Sequence, residues 1–228
     1  MNRANSDSRA KILGRIRSAL GAAGADGARR EAVESRLASH PAGPVPERAR
    51  KDGKALGELF VEKLLSQKAT VEHVANAGDI PETVARYLRE ANLPARIRMG
   101  SDELLAIAPW EKVPALERQS GRARGDDLVS VSRAQAGAAE TGTLFLTSGP
   151  ENPTTLNFLP DTHIAVIKAD DLVGSYEEAW NRLRAKNGEG QLPRTVNLIS
   201  GPSRTADIEQ TMVMGAHGPR RLHVIVVG

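Results

Sequence analysis

The chain has 228 residues, 40% hydrophobic and 26% charged, enough for one sizeable globular domain or a domain with an appendage. Without a single cysteine it offers no disulfide, no thiol nucleophile and no thiolate ligand for an iron–sulfur cluster. No apolar run approaches the roughly 18 residues of a membrane span, and MNRANSDSRAK lacks the apolar core of a secretory signal, so the cytoplasm is the default. The net charge of +3 is uneven: the first 54 residues carry 12 Lys/Arg against 6 Asp/Glu, the remainder 19 against 22. With 2 Trp, 2 Tyr and 3 Phe to stack on, nucleic acid is not expected as a partner of the main domain.

In chain order, Asp7 or Ser8 caps a helix predicted over Ser8–Leu20, with Ile12, Leu13, Ile16 and Leu20 on one stripe and Gly21 at its end. A second short helix is predicted over Arg29–Ser39, between an Ala/Gly-rich stretch and the linker HPAGPVP. Residues 1–50 therefore read as a basic helical extension and 51–228 as the main domain. In the main domain Leu56, Leu59, Phe60, Leu64 and Leu65 recur at helical spacing, then Thr70–Val74 reads as a strand and Ile80–Ala91 as a helix with Pro81 in its first turn. Ala95–Met99 is extended, Asp102–Ile107 a short helical piece, and Asp127–Ser132, Leu144–Leu146, Ile164–Ile167, Val196–Ile199 and Leu222–Val227 are strands. Asp170–Arg184 is a helix. This alternation predicts an α/β fold with a mostly parallel sheet and ligands at the carboxyl edge of its strands.

Three segments carry the candidate chemistry. In the first, Glu140-Thr141-Gly142-Thr143 precedes a buried strand; Glu140 is either a turn residue satisfied by nearby N–H groups or a base, nucleophile or ligand facing a pocket. In the second, Gly201, Pro202, Ser203, Arg204 and Thr205 follow a strand and lead into a segment read as a helix, with Asp207 in its first turn. That geometry would turn free amides, two hydroxyls and the Arg204 guanidinium toward an anion. Capping without any ligand is the bland alternative. In the third, two glycines let His217 and Gly218-Pro219 approach something closely. His163, preceded by Asp161, sits at the mouth of a strand, where a histidine is more often structural than catalytic, and no serine stands at a triad spacing. The histidines show no metal-binding spacing, and Walker and dinucleotide fingerprints are absent.

The stretches AETGTLFLTSGP (139–150), LPDTHIAVI (159–167) and ISGPSRTADIEQTMVMGAHGPRRLHVIVV (199–227) together resemble the LUD domain of the lactate-utilization protein C family. The resemblance implies a three-layer α/β/α fold similar to the NagB/RpiA/CoA-transferase-like group. It also implies a bacterial role in oxidising L-lactate to pyruvate beside two partner proteins that carry the iron–sulfur clusters, with no cofactor in this chain. It carries over motif residues without assigned roles: Glu140, Thr141, Gly142, Thr143; Gly201, Pro202, Ser203, Arg204, Thr205, Asp207; His217, Gly218, Pro219. Two readings follow. In one the chain is an accessory subunit with a pocket for a small anion or nucleotide-like ligand. In the other it is an enzyme of acyl, CoA or phosphate-linked chemistry, with Glu140 as nucleophile or base, Arg204 as anion clamp and His217 as proton donor, the Glu140 role resting on analogy by fold.

Overall fold

The structure, a computed structural model, describes residues 3–21, 27–188, 191–206 and 212–228. The chain divides into two compact units, Met1–Pro44 and Val45–Gly228. The first contains helices α1 (Arg3–Ala19) and α2 (Gly27–Ser39). The stripe predicted on α1 stays largely uncovered, with Ile12, Leu13, Ile16 and Leu20 all exposed. Among the described residues no helix is long and apolar enough to cross a membrane.

In the second unit the order is α3 (Gly53–Ser66), β1 (Thr70–Val74), α4 (Ile80–Glu90), β2 (Arg96–Met99), α5 (Glu103–Ala106), β3 (Glu117–Ser120), β4 (Val129–Arg133), β5 (Ala136–Ala138) and β6 (Thr143–Thr147). Then come β7 (Thr162–Lys168), β8 (Leu172–Val173), α6 (Tyr176–Asn187), β9 (Val196–Ile199), β10 (Arg204–Ala206), β11 (Met212–Met214) and β12 (Arg221–Val227). Six strands form a sheet in the order β1-β12-β7-β4-β2-β3, and every pair in it is parallel. A mixed sheet, β8-β5-β6-β9, continues from the ends of β4 and β7.

Period-2 alternation decides which side of the large sheet each residue serves. Val129, Val131, Ile164, Val166 and Ile225 pack on one face with Ile80, Val84 and Leu88 of α4 and Leu104 and Leu105 of α5. Ala165, Ile167, Leu222, Val224 and Val226 face the other way, onto Leu59, Phe60 and Leu64 of α3 and Leu144 and Leu146 of β6. The intervening Phe145 of β6 points outward with Ala136 and Ala138 to a third cluster, closed by Ala179 and Leu183 of α6. The small sheet thus lies between the large one and α6. Phe60 and Leu64 are fully buried at the centre, where truncation to alanine costs about 2–5 kcal/mol.

Several expectations are corrected. The segment after Thr205 was read as a helix, but its described ends are strands: β10 pairs antiparallel with β11, Thr205 opposite Val213. Backbone pairing between these two stretches, which local composition does not encode, outweighs the helical look of the segment. Residues 207–211, and with them Asp207, lie outside the described residues. The helix expected from Asp170 begins only at Tyr176, because Ser175 and Glu178 form a capping box there, while Leu172–Val173 is taken into the small sheet. Strands β3 and β5 carry no expectation in the sequence reading; β3 is an exposed edge and β5 is Ala-Gly-Ala.

Candidate functional site

Glu140 is buried at the amino end of α6. Its Oε1 accepts from the Tyr176 N–H at 3.0 Å, its Oε2 lies 3.8 Å from Arg48 Nη2, and its own N–H donates to the Gly174 carbonyl. The carboxylate therefore satisfies a first-turn donor and compensates the helix dipole. Gly142 has φ of 66°, and a Cβ there would lie 2.8 Å from the Leu64 nitrogen, so this glycine is required by α3 packing against the turn. Thr143, fully buried, joins hydroxyls with Thr141 (2.7 Å), Tyr176 (2.7 Å) and Ser200 (2.6 Å). Through Ser200 this first segment reaches the rim of a cavity; Glu140 does not line it.

The second and third segments are knitted together. The Ser203 N–H donates to the Pro219 carbonyl (2.8 Å), the Ser203 carbonyl accepts from the Gly215 N–H (3.0 Å), and the Ser203 Oγ accepts from the His217 N–H (3.3 Å). Gly215, at φ of 83°, lets the Arg220 side chain pass where a Cβ would stand. The expected anion cradle differs on two counts: among the described residues no helix follows the turn, and the Ser203 amide is already used. Arg204 is exposed and donates to the Gln67 side chain, and the backbone of Thr205 lies in β10. The three segments do not converge on one receptor, since Glu140 serves α6 while Ser203, His217 and Gly218 line the cavity.

That cavity, about 240 Å³, lies at the amino ends of β7 and β12. Its walls are apolar, from Phe158, Leu198, Pro202, Pro219 and Leu222, and its polar lining includes Asn157 and His163. Both are essentially inaccessible to solvent. His163 Nε2 is 2.7 Å from Ser132 Oγ, which in turn lies 3.2 Å from Asn157 Oδ1, while His163 Nδ1 and Asn157 Nδ2 have no partner among the described residues. Burial pushes the His163 imidazole down to about 4, so the ring is neutral at pH 7. The serine that no sequence spacing offered is thus supplied from a neighbouring strand of the sheet. It makes no nucleophilic triad, because Ser132 is itself buried and the third group binds the serine instead of orienting the histidine. Asp161, expected near His163, pairs with Arg220.

At the opposite edge, β2 leads outward to β3 while β4 leads toward β7, so neighbouring strands diverge and leave a crevice outside their carboxyl ends. It measures about 520 Å³ and is lined by Asp102, Gln135, Asn152 and Lys186 among others. Behind it, part-buried Arg133 binds Asp102 (3.1 Å) and Asp171 (2.9 Å), Arg182 also binds Asp171, and Gln135 donates to Asp102. Burial opposes the Arg133 charge, but its bonds to the two aspartates prevail and raise its pKa above the ordinary arginine value. This edge was expected to hold the ligand site, yet none of the candidate residues lies in the crevice; nothing in their local motifs marks Asp102, Arg133 and Asp171, which meet only through the sheet. Among the described residues no group of three or more His, Cys, Asp or Glu side chains could hold a metal ion.

Comparison with known proteins gives consistent matches. Residues 57–227 match the LUD domain family. An uncharacterized protein of Neisseria meningitidis serogroup B is 44% identical over 146 residues, 61% of each chain. Lactate utilization protein C of Deinococcus radiodurans is 34% identical over 182 residues, 74% of this chain and 78% of that one. Lactate utilization protein C of Shouchella clausii is 43% identical over 89 residues, 39% of each. The matched segments therefore span less than two thirds of the Neisseria and Shouchella proteins. A crystal structure of a DUF162 family protein from Deinococcus radiodurans shares the fold, with a TM-score of 0.56 at 24% identity over 76% of this chain and 96% of that one.

Proposed function

The chain belongs to the LUD domain family, and on that premise we propose that it is an accessory subunit of a bacterial L-lactate utilization system, binding a small ligand in the cavity at the amino ends of β7 and β12. The observation that carries this reading is the match to Lactate utilization protein C across 74% of the chain. The finer fold assignment within it is a three-layer α/β/α arrangement of the NagB/RpiA/CoA-transferase-like kind, with the α4 layer on one side of the large sheet and α3 on the other supporting it. A chain without cysteine supplies no thiolate, so lactate oxidation by iron–sulfur chemistry falls to partner subunits in the cytoplasm. The stand-alone enzyme reading draws less support, because the Glu140 carboxylate is occupied by the Tyr176 amide and Arg48.

Deleting the gene from its host should abolish growth on L-lactate as sole carbon source, and both the wild-type chain and Glu140→Gln should restore it. A tagged chain should bring down brown, cluster-bearing partners. Undiminished growth of the deletion strain would end the subunit reading. Failure of a folded Glu140→Gln protein to restore growth would move the chemistry onto this chain.

A further inference from the structure

The floor of the amino-end cavity specifies its ligand more narrowly than its shape does. A hydroxyl has one proton, and Ser132 Oγ has two neighbours, Asn157 Oδ1 at 3.2 Å and His163 Nε2 at 2.7 Å. If Ser132 donates to Asn157, the ring must donate from Nε2, leaving Nδ1 as a bare acceptor and the Asn157 amide nitrogen as a bare donor. Turning the asparagine amide over reverses both ends together: Ser132 then donates to the ring, Nδ1 carries the proton, and the amide oxygen is left bare. In either arrangement the two residues, which belong to the cavity's lining, keep one deeply buried donor and one deeply buried acceptor without a partner among the described residues. Leaving such groups unmet is costly, because each lost its water on burial and gained nothing in return.

We propose that this cavity binds the flat amide or imide edge of a neutral heterocycle, N–H beside C=O in the ring or on an exocyclic carboxamide, through His163 Nδ1 and the Asn157 side-chain amide. The proposal rests on the cavity being a small-molecule site, but not on the assignment to lactate utilization. Such an edge presents one donor and one acceptor, the complement of the floor, whereas a carboxylate presents acceptors only. A carboxylate at this depth would also be an unpaired buried charge beside a neutral imidazole, with no lysine or arginine on the lining. The volume of about 240 Å³ falls below the roughly 300–1,000 Å³ of clefts for drug-sized ligands and suits a single ring. Phe158, part-exposed at the mouth, offers a face for that ring to stack on, and Pro202 and Pro219 close the walls.

The test compares nicotinamide, nicotinate, uracil and L-lactate, each titrated into the full-length chain by calorimetry. Nicotinamide (an exocyclic carboxamide) or uracil (a ring imide) should bind, and which of them binds tells the two sources of this edge apart. Nicotinate, the same ring with a carboxylate, should bind at least about tenfold more weakly than nicotinamide, as expected for a lost buried hydrogen bond and an unpaired charge. Asn157→Leu should weaken binding by a similar factor. Phe158→Ala, on the surface and without a part in the core clusters, should weaken it several-fold while the fold is kept, so the test survives if Asn157→Leu unfolds. Nicotinate binding as well as nicotinamide, L-lactate binding in place of either amide, or no binding of either amide at millimolar concentration would each overturn the proposal. Only the growth experiment bears on the lactate assignment itself.

Discussion

The two edges of the large sheet differ in how their polar groups are satisfied. At the carboxyl edge the charges of Asp102, Arg133, Asp171 and Arg182 pair with one another and Gln135 joins them, although Arg133 Nε and Asn152 Oδ1 have no partner among the described residues, and the crevice is wide. At the amino edge the cavity is smaller, its walls are apolar, and two buried polar atoms on Asn157 and His163 remain without protein partners. Paired charges hold a fold together, whereas an uncharged donor and acceptor left without partners beside an apolar-walled cavity suit a neutral ligand. The usual rule for open α/β sheets favours the carboxyl edge, and the proposed amino-edge site stands against it.

The largest effect that could break this contrast is Arg133→Met. Removing the cation leaves part-buried Asp102 with only Gln135 and buried Asp171 with only the part-exposed Arg182, which costs about 3–5 kcal/mol in urea unfolding, while the folded fraction keeps any binding at the amino edge. A variant that stayed stable but lost the ligand would place the site at the crevice instead.

A pH series sharpens the amino-edge half. His163 and His223 both have folded-state pKa values lowered from 6.5 to about 4, in each case mainly by burial, with Arg86 adding to the effect at His223. The unfolded chain therefore takes up protons first. The stabilisation is complete above pH 6.5 and is lost as pH falls toward 4, by up to about 3 kcal/mol per histidine. Chemical denaturation at pH 7, 5.5 and 4.5 should show this decline; a flat profile would mean that neither ring is held neutral.

The smallest predicted effect falls on the residue that looked most reactive. Glu140→Gln keeps an acceptor for the Tyr176 amide and loses only the charge facing the helix end and the part-exposed Arg48, so stability should drop by no more than about 1 kcal/mol. A drop of several kcal/mol would show that the carboxylate is bound more tightly than this geometry describes.

What could be read from the residues follows the range of the forces involved. Thr70–Val74 and Val196–Ile199 stand at their predicted bounds, because a short apolar run between turn residues is a local signal. Of the motif segments, Ser203 and His217 line one cavity and Thr143 reaches its rim only through Ser200, while Glu140 stands apart at α6. The helix predicted after Thr205 failed where cross-strand pairing with Val213 decided the outcome. Ser132 and His163 meet because β4 and β7 are neighbours in register, and Arg133 finds Asp102 and Asp171 at the ends of three different strands. Such contacts are properties of the sheet order, which no local pattern carries.

The most direct test of the amino-edge site is long-range ¹⁵N–¹H NMR of the His163 ring, with and without nicotinamide. The account predicts one neutral tautomer from pH 7 down to about 5, with the Nδ1 signal shifting as the amide is added. A ring that is protonated at pH 7, or one whose Nδ1 ignores saturating nicotinamide and uracil alike, would contradict it.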